Sequence, residues 1–103
     1  MIGISAKLAW QQAYKSTRLS HWCPGCEHFH LIAIGTPFPN GAVWTWDENT
    51  EAPTITPSVN VGPGTKLQCH YFIRSGNIQF LPDCHHALRG QTVPLPDLPS
   101  GST

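Results

Sequence analysis

The run Leu67-Gln68-Cys69-His70-Tyr71-Phe72-Ile73-Arg74-Ser75-Gly76-Asn77-Ile78-Gln79-Phe80-Leu81 decides the fold. Two stretches rich in aromatic and β-branched residues flank Ser75-Gly76, the pattern of a tight β-hairpin. Folding Leu67–Arg74 against Asn77–Leu81 about that turn sets Cys69 roughly opposite position 82. Cys69 and His70 then lie beside Asp83-Cys84-His85-His86. Successive strand residues point to opposite faces, so only one of Cys69 and His70 reaches a given ion.

Upstream, Cys23-Pro24-Gly25-Cys26 is the strongest chemical signal. Two thiols three positions apart, in a turn made by Pro and Gly, suit a metal ion. A redox dithiol would need a βαβ setting, and the flanking stretches here are extended. Thr17–Trp22 precedes the turn, and His30–Ile34 follows it as a candidate buried strand. Ala42–Asp47 alternates, with Trp44 and Trp46 on one face as a core wall or a binding surface. Pro53–Val61 is rich in β-branched residues, with Pro53 and Pro57 confining it to a sheet edge or a bend. Ala6, Ala9, Trp10 and Ala13 fall at helical spacing, which predicts a short helix from Ser5 to about Thr17.

The expected fold is mainly β. It is a small antiparallel sheet with a zinc-knuckle or ribbon-like metal site, a short N-terminal helix and an extended Pro-rich tail. Its divisions are residues 1–18, 19–93 and 94–103. With 103 residues, ten of them proline and nine glycine, the core is thin and a metal cross-link would strengthen it.

Six Lys and Arg balance six Asp and Glu, so the basic excess of a nucleic-acid binder is missing. No stretch approaches the 18 or so apolar residues of a membrane span, and no secretory signal opens the chain. A cytoplasmic location follows as an expectation, and there four cysteines suit a metal better than disulfides. Another protein is the expected partner. Trp44, Trp46 or the edge at 53–61 offers a route to homo-oligomers.

Cys23, Cys26 and Cys69 are the first three expected ligands, with Cys84 or His86 as the fourth. Mixed thiolate and imidazole donors favour zinc, and iron of the rubredoxin kind would want a second Cys-x-x-Cys. Asp83 could accept a hydrogen bond from a ligand histidine's second nitrogen. His21, His28 and His85 read as ordinary surface residues.

The ordered set His21-Trp22-Cys23-Pro24-Gly25-Cys26 to His30, Trp44-x-Trp46, Pro53-Thr54-x-x-Pro57-Ser58, Cys69-His70-x-Phe72, Gly76-x-Ile78 and Asp83-Cys84-x-His86-x-Leu88-x-Gly90-Gln91-Thr92-Val93 resembles a known family. Its members are small phage and bacterial proteins grouped as a domain of unknown function and often labelled ammonia monooxygenase. The resemblance covers about residues 20–97. It implies His86 over Cys84 as the fourth ligand, because members vary at the cysteine and keep the histidine. It also implies a phage or mobile-element origin, since members occur in phage genomes and beside bacterial ubiquitin-like conjugation genes. The oxygenase label has no support in this chain, because that enzyme is a membrane assembly.

Two functions compete at this level. The favoured one is a non-enzymatic, phage-type accessory module in which zinc holds a sheet that contacts another protein. The alternative is a zinc hydrolase with an open metal position near His30 and His70, in which His30, His70, Glu27 and Asp83 are the candidate proton carriers.

Overall fold

A computed structural model describes residues 1–99. These residues form nine strands: β1 (Ile2–Gly3), β2 (Ala9–Ala13), β3 (Ser16–Cys23), β4 (His28–Ile32), β5 (Thr45–Trp46), β6 (Ile55–Val61), β7 (Cys69–Arg74), β8 (Asn77–Phe80) and β9 (Thr92–Pro94). They make two antiparallel sheets, ordered β1-β2-β3-β4 and β5-β6-β7-β8-β9. The β majority expected from sequence holds.

The expected N-terminal helix does not form, and there is no helix among the described residues. Residues 9–13 pair instead with residues 16–20 of β3. The alanines that suggested helical spacing lose to a hairpin in which Tyr14 and Lys15 both take positive φ, and Leu8 and Ala9 enter the core. Tertiary burial overrides a weak local preference. The tail is likewise tied down as far as it is described. Leu95 is fully buried, Lys7 Nζ donates to its carbonyl at 2.7 Å, and Leu98 N donates to Ala6 O. Residues 100–103 of the expected tail lie outside the described residues.

The hairpin of β7 and β8 forms as expected, with Arg74 opposite Asn77 and a two-residue turn. Ser75 and Gly76 both adopt positive φ, which matches the turn to the strand twist. Gly76 is also required sterically, since a Cβ there would press on the Ala52 backbone. Cys69, Tyr71 and Ile73 point inward and are fully buried, while His70 and Phe72 face out. In β6, Ile55 and Val59 point inward and Ser58 and Asn60 face out. The β6 register against β7 shifts between Ile55 and Val59, where Pro57 interrupts the ladder. Strand β5 covers β6 only at Ile55 and Thr56.

The inner faces of the two sheets share one core. Leu8, Leu19 and Ile32 meet Ile55, Tyr71, Ile73, Ile78 and Phe80. Trp46 packs edge-on against Trp10 across the sheets, and Trp44 and Trp46 are both partly buried against the core, as the core-wall reading has it. Two polar links reinforce this contact. Tyr71 Oη lies 2.6 Å from His21 Nε2 and 2.9 Å from His30 Nδ1. Burial pulls the two imidazoles down to about 4 and about 3, so both rings stay neutral. His21 is therefore a core residue and not the surface residue its composition suggested. The second link is the thiol cluster described below.

Arg18 is fully buried and faces no carboxylate among the described residues. Its guanidinium donates to the carbonyls of Ala13, Tyr14, Thr36 and Pro37 and stacks on Phe38, 4.6 Å from the ring centre. It thereby fixes the loop that follows β4.

Candidate functional site

Cys23 ends β3, Cys26 closes the turn after it, Cys69 opens β7, and His86 follows β8. Their ligand atoms all lie within 4.8 Å of one another and could hold a metal ion. Cys23 Sγ and Cys69 Sγ are 3.9 Å apart, and Cys69 Sγ is 3.3 Å from His86 Nε2. Sulfurs about 2.3 Å from a tetrahedral ion would stand roughly 3.8 Å apart, so the donors fit such an ion. Two strands from different sheets and two turns thus converge on one point.

The turn chemistry is specific. Glu27 N donates to Cys23 O at 2.8 Å, and Cys26 N points at Cys23 Sγ at 3.3 Å. Gly25 lies directly under the His86 ring, and any Cβ there would overlap it. A hydrogen bond from Cys69 draws the Cys23 thiol down to about 6. The same contact pushes Cys69 far up, and burial raises Cys26 to about 11. Burial also lowers His86, which keeps that imidazole neutral. Ligating thiols must be deprotonated, so ion binding here is coupled to proton release.

Cys84 is not in this group. Its thiol donates to His70 O at 3.1 Å and accepts from His70 N at 3.2 Å, which fixes the backbone of β7. His85 is exposed, with Nε2 3.5 Å from Cys26 Sγ. His28 is exposed as well, and its ligand atom groups with those of Cys26 and His30.

On the outer face of the second sheet lies a different constellation. His70 Nε2 is 3.1 Å from Ser58 Oγ, and His70 Nδ1 is 3.2 Å from Asp83 Oδ2. Asn60 pairs with His70 across the strands, which sets Ser58, two residues earlier, within reach of the imidazole. Asp83 comes from the turn after β8. Gln68 Nε2 donates to its Oδ2 at 2.9 Å, and Leu81 N ties the turn to His70 O. Asp83 therefore orients His70 and not a metal ligand. His70 and Asp83, expected as proton carriers, come together. His30 is turned inward to Tyr71, and Glu27 is exposed on the Cys-x-x-Cys turn.

The sequence around Ser58 carries no mark of a reactive group. Ser58 lies in no Gly-x-Ser-x-Gly elbow, and its only signal was its place in the ordered motif after Pro57. Gln68 had no signal at all.

Ser58 opens onto a trough of about 410 Å³ between the loop after β4 and the free margin of β6. Trp44 Nε1 donates to Ser58 O at 3.0 Å across its end.

A serine, a histidine and a carboxylate in hydrogen-bonding sequence, open to solvent on a two-sheet scaffold, have the geometry of a serine-nucleophile site. The chain belongs to the family described as "Bacterial ubiquitination-like system serine protease (BubE)", whose model matches residues 3–81. No curated protein and no solved structure matches the chain. Family membership overturns the expected non-enzymatic, phage-type accessory module. It also displaces the zinc-hydrolase alternative, because the family is described as a serine protease. The phage assignment finds no support, and the match is to a small bacterial domain.

Proposed function

We propose that this chain hydrolyses peptide bonds in a polypeptide of a bacterial ubiquitination-like system, with Ser58 as nucleophile, His70 as general base and Asp83 as its orienting carboxylate. One observation carries this reading: the continuous contact chain from Ser58 Oγ through both nitrogens of His70 to Asp83 Oδ2. With the Nδ1 proton held by Asp83, Nε2 is free to take the Ser58 proton as Oγ attacks the carbonyl carbon. The same proton passes to the departing amine as the C–N bond breaks. An ester remains on Ser58, and water activated by His70 then cleaves it.

The cysteine cluster has a different task in this reading. Three thiols and an imidazole suit a zinc ion with four protein ligands. Zinc held there would supply cross-linking rather than chemistry. It would fix Cys69 next to His70, and His86 three residues after Asp83.

The test is labelling by a fluorophosphonate probe, read by intact mass and peptide mapping. The reading expects one adduct on Ser58, lost in Ser58→Ala. An unlabelled wild-type protein that also leaves unfolded β-casein uncut overturns it.

A further inference from the structure

The margin of β6 beside Ser58 is only partly occupied. Strand β5 pairs with β6 at Ile55 and Thr56 and goes no further. On the other side, Val59, Asn60 and Val61 lie opposite Tyr71, His70 and Cys69 of β7. The Ser58 carbonyl accepts from the Trp44 indole, so it points away from β7. Backbone groups alternate in direction along a strand, so the N–H and C=O of Asn60 point the same way. They face the trough.

The trough has two walls. Leu31, Phe38, Ala42 and Trp44 form one, and Asn60 and Pro63 belong to the other. Among the described residues, no charged side chain lines it. An open strand margin beside an uncharged, largely apolar channel fits one kind of occupant. Backbone groups at a sheet margin are satisfied by another extended backbone, and the adjoining hollow takes alternate side chains. A folded surface or a small polar ligand would use neither feature.

We infer that the substrate lies as an extended, uncharged peptide segment added to the Ser58–Val61 margin of β6, with its backbone paired to Asn60 and an apolar side chain in the Phe38–Trp44 trough. This rests on the reading of Ser58 as nucleophile and adds to it the substrate's conformation and chemical class. Phe38 is held in its wall by the buried Arg18, so the channel is preformed rather than made by the ligand.

The experiment uses the full wild-type chain and two readouts. A peptide library first gives the cleaved sequences, which should carry apolar, uncharged residues on one side of the cut. The best peptide is then remade in single N-methylated forms. Methylation of the amide that pairs with Asn60 should lower kcat/KM by roughly tenfold, the cost of one lost backbone hydrogen bond. Methylation of the amides on either side should have little effect. Ala42→Glu provides a second arm. It should disfavour apolar peptides and improve cleavage of peptides carrying lysine at that position, while probe labelling of Ser58 persists. Ser58 labelling together with uniform tolerance of N-methylation, or with equal cleavage of charged and apolar peptides, overturns the inference and leaves the nucleophile assignment intact. Absence of labelling in the wild type overturns both.

Discussion

Cys69 and His70 are neighbours in β7 that face opposite sides of one sheet: the thiol is fully buried in the donor cluster, and the imidazole meets Ser58 on the outer face. The backbone between them would couple an ion held by the donor cluster to the orientation of His70. With zinc in the cluster as proposed, a chelator should abolish peptide cleavage together with the cooperative thermal transition. Readdition of zinc should restore both, as checked by calorimetry and activity on one sample.

Ser58→Ala should reduce turnover by at least roughly a thousandfold while leaving the circular dichroism spectrum and Tm near those of the wild type. Ser58 faces outward and fills no core space, so its loss costs little in packing. Equal activity in the variant would remove Ser58 from the chemistry.

Asp83→Asn should lower kcat by about a hundredfold or more with KM little changed, because the amide no longer holds the productive His70 tautomer. Gln68→Ala should give a smaller loss of the same kind, since its amide steadies the Asp83 carboxylate. A KM effect alone in either variant would contradict these roles.

Gly25→Ala should weaken metal binding without touching a donor atom. The added methyl overlaps the His86 ring, and either the ring leaves or the turn opens. Overpacking of this sort costs about 1–3 kcal/mol. The expected outcome is faster zinc loss to a colorimetric chelator and a lower Tm.

Acid should destabilise the fold through His21 and His30. Both titrate near 6.5 in the unfolded chain but only at about 4 and about 3 in the fold, because burial disfavours their charged forms. Below pH 6.5 the unfolded state binds more protons, so stability is fully present above that value and falls as pH drops. Each ring contributes at most about 1.4 kcal/mol per pH unit over that range. Denaturant midpoints between pH 7.5 and 5 check this, and His30→Asn should reduce the slope.

The chain reveals its β7–β8 hairpin because alternation and a Ser-Gly turn act locally, and that hairpin already brings Cys69 near His86. The thiol cluster is legible for the same reason: a Cys-x-x-Cys needs no tertiary information to be recognised. The first hairpin is hidden. Its alanines satisfy a helical period, and only burial of Leu8 and Ala9 against the second sheet makes a strand the better choice. Ser58 is hidden for a different reason. A hydroxyl becomes a nucleophile through its neighbours, and His70 and Asp83 reach it only by cross-strand register and a turn closure.

Ser58 is half-buried on the outer face of its sheet and opens sideways into the trough, so on the proposed reading a client meets it along a strip of surface rather than down a pit. A bulky client would then need only one loose segment that reaches the groove and lies straight. Discrimination would rest on whether a segment can extend that far and on what it carries, and a tightly folded body would survive the encounter uncut.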